Sequence, residues 1–153
     1  MLKIIFAFGL LLALTYNANA ASISQNNNVM LFLSLGMPKL TLRQYVTQSN
    51  QYHIPLILRG FLQNSYPETA KKIYDILHPK NSKEIRGGFE VDPLYFKKFH
   101  INAVPALVIQ KQSHYTVVYG NVPISKLLYL IAQNSKNQLI KSQARNYLEN
   151  NHA

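Results

Sequence analysis

The chain has 153 residues, 48% of them hydrophobic and 14% charged, enough for one packed domain, not comfortably two, and too apolar for a disordered chain. It contains no cysteine, which excludes thiol–disulfide chemistry, disulfide staples and cysteine-based zinc sites. Sixteen Lys and Arg face 6 Asp and Glu, a formal net charge of +10, and such a field favours nucleic acid, acidic lipid headgroups or an acidic protein, although the basic residues are scattered rather than clustered.

The first twenty residues have the three parts of a secretory signal. Lys3 supplies the positive charge, Ile4 to Leu14 form an uncharged apolar run, and Ala18-Asn19-Ala20 places small residues where a signal peptidase reads, with Ala21 following. The apolar run is shorter than the roughly 20 residues needed to span a bilayer. The expectation is export with cleavage near Ala20-Ala21 and a periplasmic mature protein. Cleavage removes Lys3 alone among the charged residues and leaves +9. Residues 21–28, polar and Asn-rich, then form a short flexible lead.

Val29 to Leu33 is a continuous apolar run that predicts a buried strand. Met37-Pro38 suits a helix start, and Leu42, Tyr45, Val46 and Ser49 fall on one face of a helix running to about Tyr52. Ile54 to Leu58 predicts a second buried strand, weakened at its first residues by Pro55. Two strands apolar throughout, joined by a helix, predict a parallel pair covered on both faces.

After Gly60 the pattern changes. Ala70, Ile73, Tyr74 and Leu77 predict an amphipathic helix ending before Pro79, followed by a mobile polar loop from Lys80 to Gly88 with a turn at Gly87-Gly88. Asp92-Pro93 caps and opens a short helix, Leu94 to Phe99, that points Tyr95, Phe96 and Phe99 at the core. Ala106 to Ile109 and Thr116 to Tyr119 predict an antiparallel hairpin around a polar turn, Gln110 to His114. Ile124, Leu127, Leu128 and Ile131 predict the next helix. Residues 135–153 form a polar tail whose Ile140, Tyr147 and Leu148 keep a helical stripe, suited to docking on the core or on a partner.

Strand, helix, strand, helical insertion, short helix, hairpin, helix is the order of an α/β, thioredoxin-like domain, with a central mixed sheet and flanking helices over residues 29–134. The stretch from Phe99 to Val108 resembles the place in thioredoxin-like proteins where a short helix leads into a cis-proline, here Pro105. Where redox-active members carry two cysteines, this chain has Ser34-Leu35-Gly36-Met37-Pro38. Leu31 to Pro38, Gln51 to Gly60, Val91-Asp92-Pro93, Val104 to Val108 and Val118 to Pro123 together resemble the TrbC family of F-type conjugative transfer systems, a branch of type IV secretion. That resemblance implies a non-enzymatic periplasmic protein needed for assembly of the conjugative pilus. It implies other envelope transfer proteins as partners, TraW-like proteins among them, and pilin as a further candidate. It brings no catalytic residue and no cofactor with it.

The residues themselves offer little else chemically. His53, His78, His100, His114 and His152 lack ligand-like spacing, and no nucleophile elbow or phosphate-binding glycine loop occurs. Nine tyrosines in a basic mature chain suggest stacking on single strands, yet most sit on helix faces that read as core, so nucleic acid is not the expected partner. The candidate contact surface is the corner formed by Ser34, Leu35, Gly36, Met37 and Pro38 with Val104 and Pro105, unless Leu35 and Met37 merely pack inward. Two rival functions remain. A general periplasmic chaperone would hold unfolded peptide at this corner and suppress aggregation of unrelated proteins. A DNA-contacting subunit would bind with an affinity that falls steeply with salt.

Overall fold

The unbroken apolar run after Asn28 does become the centre of a sheet. The computed structural model of the protein describes residues 28–151. The expected signal sequence, and the lead up to residue 27, lie outside the described residues. Strand β1 (Val29–Leu33) is buried at every position. It pairs in parallel with β2 (Leu56–Leu58) on one side and antiparallel with β4 (Ala106–Lys111) on the other. A two-residue strand, β3 (Glu90–Val91), joins in parallel beyond β2, and β5 (His114–Tyr119) closes the opposite edge antiparallel to β4. The order across this five-stranded mixed sheet is β3-β2-β1-β4-β5.

Alternation along the strands divides the core in two. Val29, Leu31, Leu33, Leu56, Leu58, Leu107 and Ile109 face one way and join the larger cluster. That cluster is completed by helices α1 (Lys39–Tyr52), α2 (Tyr66–Leu77), α4 (Ile124–Asn134) and α5 (Gln138–Glu149). Met30, Phe32, Ile57, Ala106 and Val108 face the other way, against Phe96 and Phe99 from α3 (Pro93–Lys98) and its C-cap, and against Ile101. Successive side chains of a strand point to opposite faces, so a run apolar at every residue is one covered on both.

Several boundaries differ from the sequence expectation. Strand β2 starts at Leu56 because Pro55 has no N–H to give; its carbonyl still accepts from the Leu31 amide at 3.0 Å. Helix α2 turns a different face inward. Thr69 and Ile76 are buried and Ile73 and Leu77 half-buried, whereas Ala70 and Tyr74 are exposed. Its start is set by Ser65, whose hydroxyl accepts from the Glu68 amide, an S-x-x-E capping pattern one turn before the apolar stripe. The hairpin turn is shorter than expected: only Gln112 and Ser113 separate β4 from β5, with Gln112 at φ 55°. Polar residues such as His114 and Gln110 looked like loop but are ladder residues on the exposed end of the hairpin.

The loop after α2 is tied down rather than loose. Its Ile85 amide bonds to the Leu77 carbonyl, the Asn50 side-chain amide donates to the Arg86 carbonyl, and Ile85 and Phe89 pack on the larger cluster. Gly87 serves close approach rather than a turn. It has φ +126°, and a Cβ there would meet Val46 Cγ1 at 2.8 Å.

The tyrosines divide differently from expectation. Tyr45 and Tyr52 are core, but Tyr66, Tyr74, Tyr115, Tyr119 and Tyr129 are exposed on α2, β5 and α4, spread over separate elements rather than lining one groove.

Tyr45 ties α1 to the loop before α4. Its hydroxyl donates to the Val122 carbonyl at 3.1 Å and lies 3.3 Å from Asn121 Oδ1. Burial pushes its phenol above the ordinary value, only partly offset by the Val122 bond. A pKa raised by folding gives stability that is present below the unfolded value, about 10, and is lost as pH rises through the folded value. Tyr45→Phe is expected to cost about 1 kcal/mol at neutral pH and to flatten the alkaline fall in stability. Burial raises Tyr147 in the same direction, so the fall is reduced but persists. Urea titrations of both proteins from neutral to alkaline pH check this.

A cleft at the carboxyl ends of the central strands

Strands β1 and β2 run in the same direction and end side by side, while the chain continues from β1 into a helix and from β2 into the insertion. Ligands of open α/β sheets bind outside the carboxyl ends of the strands. That place here holds a cleft of about 600 Å³ lined by Leu33 to Gly36, Leu58 to Asn64, Phe96 and Asn102 to Val104.

The first wall is the turn after β1. The Ser34 hydroxyl accepts from the Gly36 amide at 3.2 Å, and the Ser34 carbonyl accepts from the Met37 amide at 3.1 Å. This turn sends Leu35 inward, 5% exposed, and half-buries Met37 against the same cluster, leaving Ser34, Gly36 and Pro38 exposed.

The second wall is the loop between α3 and β4. Asp92 starts α3 by accepting from the Leu94 and Tyr95 amides at 2.7 and 3.1 Å, with Pro93 at the first helical position, as the sequence predicts. Phe99 and His100 end the helix, His100 at φ 53°. Asn102 and Ala103 are exposed, Val104 is half-buried, and the Val104–Pro105 peptide bond is cis. Pro105 itself is buried and its carbonyl accepts from the Gly120 amide at 3.1 Å.

Arg59, at the end of β2, spans the floor to this wall. Its guanidinium donates to the Ile101 carbonyl at 2.6 Å and lies 4.9 Å over the Phe96 ring. The third wall is the 3-10 segment Leu62–Asn64, in which Gln63 and Asn64 both have positive φ, 50° and 57°. Such backbone is uncommon outside glycine. It is held by Thr69, whose buried hydroxyl donates to the Ser65 carbonyl and accepts from the Leu62 amide, both at 2.7 Å.

Of the seven residues expected at the contact corner, Ser34, Leu35, Gly36 and Val104 line the cleft. Met37, Pro38 and Pro105 do not line it. Arg59 and the Gly60 to Asn64 stretch belong to the site and were not singled out from sequence. The signals were an arginine and a glycine directly after a buried strand, and a capping serine six residues later. Among the described residues, no group of three His, Asp or Glu side chains converges to hold a metal ion, and no helix is long and apolar enough to cross a membrane.

Residues 31–131 match the family of type-F conjugative transfer system pilin assembly proteins, TrbC. The chain belongs to this family. The matched segment runs from β1 to α4 and contains every residue that lines the cleft. The periplasmic protein TrbC of Escherichia coli (strain K12) is 27% identical over 101 residues, which are 66% of this chain. Those residues are 46% of that relative, so the chain matches about half of the relative's length. No solved structure matches the chain significantly. The family is one of pilin assembly proteins, and the family resemblance read from the five sequence segments is borne out.

Proposed function

We propose that this TrbC family member is a non-catalytic component of an F-type conjugative transfer system that acts in the periplasm, after removal of a signal peptide, and is needed for pilus assembly. It works through protein contacts made at the cleft between the Ser34–Pro38 turn and the Val104–Pro105 loop. The observation that carries this reading is that the family match spans all three walls of the cleft. The thioredoxin-like arrangement is the reading of the fold that best accommodates β1-α1-β2 followed by α3 and the β4-β5-α4 half, with a cis-proline directly before β4. In that arrangement the domain runs from residue 29 to 134 and the segment beyond it is an appended helix. Partners are other envelope transfer proteins, TraW-like proteins among them, with pilin a further candidate.

The cleft has buried apolar residues, Leu33, Leu58 and Phe96, between walls of exposed residues such as Gly36, Gly60, Asn64 and Ala103. That combination suits an extended segment of a partner, held by backbone hydrogen bonds and one or two apolar side chains. Deleting the gene should abolish pili and transfer; normal pili in a clean deletion would refute the assembly role. The cleft is tested separately. A Cβ at Gly60 meets nothing within 4 Å, and Ala103 is exposed, so Gly60→Trp and Ala103→Trp fill the cleft without entering the core. Each is expected to leave the thermal midpoint nearly unchanged and to weaken partner binding by at least about 30-fold, the effect of losing a hot spot of about 2 kcal/mol. Unchanged binding by both folded variants moves the contact surface elsewhere.

A further inference from the structure

Strand β5 is a sheet edge without the usual protection. Natural edges are blunted by lysine, proline or a bulge; His114-Tyr115-Thr116-Val117-Val118-Tyr119 has no lysine or proline and pairs with β4 in unbroken register. The Gly120 amide bonds to the Pro105 carbonyl, and the Gln110 amide bonds to the Asn28 carbonyl on the other side of β4. Inward and outward bonding alternates along an antiparallel pair. It follows that Thr116 and Val118 bond to β4, while Tyr115, Val117 and Tyr119 direct their backbone N–H and C=O groups away from the sheet. Among the described residues nothing pairs with these outward groups.

The same three residues share one face. They stand opposite Gln110, Val108 and Ala106 in the β4 register, which is the face covered by the short α3. That helix does not reach the edge. Tyr115 and Tyr119 are 42% and 45% exposed, and Val117 is half-buried. Tyr115 is braced edge-on against Phe99 at 5.1 Å, which limits the rotamer freedom it has to lose on binding.

The spacing is symmetric about Val117. We propose that β5 pairs antiparallel with β5 of a second copy of this chain, with Val117 on the two-fold axis. Tyr115 of each copy then stands opposite Tyr119 of the other, and the two sheets become one of ten strands. All three outward-facing residues fall at hydrogen-bonded positions in that register, so each N–H and C=O finds a partner. The exposed tyrosines form two cross-strand aromatic pairs of the kind that stabilise antiparallel ladders. A shift of one residue would put outward-bonding positions opposite inward-bonding ones, and a shift of two would leave the tyrosines without aromatic partners, so this register is favoured. A two-fold contact of this kind is self-complementary and closes at the dimer.

Each copy carries a net positive charge, so like-charge repulsion opposes pairing and salt screens it. Sedimentation velocity of the mature protein over a concentration series is expected to show a monomer–dimer equilibrium that strengthens as salt is raised. Among backbone hydrogen bonds Val117→Pro removes only an outward-pointing donor, which edge strands tolerate, and it is expected to leave a folded monomer. The natural chain has no cysteine, so Val117→Cys supplies a clean second measurement. Cα atoms opposed across such a pair lie within disulfide range, about 5.5 Å. Oxidation should crosslink Val117→Cys at least about tenfold faster than Gln133→Cys, an exposed position on α4. A monomer at all concentrations and salts, a dimer that survives Val117→Pro in the folded protein, or equal crosslinking of the two cysteine variants overturns the proposal. Association that weakens as salt is raised also overturns it, since that is the behaviour of oppositely charged surfaces of two copies meeting rather than of two basic edges.

Discussion

Phe32→Ala is expected to lower the stability of the protein by about 3–5 kcal/mol, the usual cost of emptying a large aromatic from a core. Phe32 is fully buried on β1 and holds the smaller of the two clusters together. Its ring meets Phe96 edge-on at 4.9 Å and Phe99 at 6.0 Å. Truncation therefore removes the transfer energy of one ring, two aromatic contacts worth about 0.5–1.5 kcal/mol each, and the support of a helix of only six residues. Since α3 precedes the Asn102–Val104 wall, the cleft should loosen with it. Urea denaturation gives the free energy; amide exchange in 99–104 should speed up beyond that of α1. A loss under about 1 kcal/mol would show that the face under α3 repacks freely.

Ending the chain at Asn137 is expected to cost about 5 kcal/mol or more, comparable with the 5–15 kcal/mol that typically holds a domain together. The residues removed look dispensable by composition, since the segment is mostly polar. Yet Ile140 and Ala144 of α5 are fully buried, and Tyr147 and Leu148 pack against the same cluster. Full burial of one Ile-sized side chain contributes about 1.5–3 kcal/mol, and the removed helix also covers part of α4 and β4. Asn137 starts α5 by accepting from the Leu139 and Ile140 amides at 2.9 and 3.2 Å, so the helix begins at a defined cap. The truncated chain should expose apolar surface and lose its cooperative transition; a truncated chain that unfolds cooperatively at the same urea midpoint would show that α5 docks without stabilising.

The two assembly-related expectations behave differently under perturbation. Filling the cleft with Gly60→Trp should leave the solution mass unchanged, because Gly60 is at the end of β2 and β5 is on the far side of the sheet. Val117→Pro should leave the cleft intact for the same reason. The pair of variants therefore separates partner capture from self-pairing.

Much of the architecture is written locally. Strand β1 was legible because five consecutive apolar residues cannot be accommodated at a solvated face, α4 because its apolar residues recur at i, i+3, i+4 and i+7, and α1 because Leu42, Tyr45 and Val46 recur at i, i+3 and i+4. The start of α3 follows from Asp92-Pro93, where the capping oxygen and the missing N–H act within a few residues of each other. The absence of cysteine excluded thiol chemistry before any fold was considered. What the tertiary structure decided concerns residues whose role depends on distant chain. Two residues of β3 are too few to show any period and become a strand only because β2 offers them an open edge. The face that α2 buries follows from its pinning by Ser65 and Thr69, not from its apolar count. Gly87 is required by Val46, 41 positions away in the chain, and Arg59 becomes part of a cleft only through the Ile101 carbonyl. A polar tail becomes core because β4 and α4 leave a surface for it to cover. Local patterns encode what a segment buries; which surface it is buried against is set by topology, and the cleft exists only where the two meet.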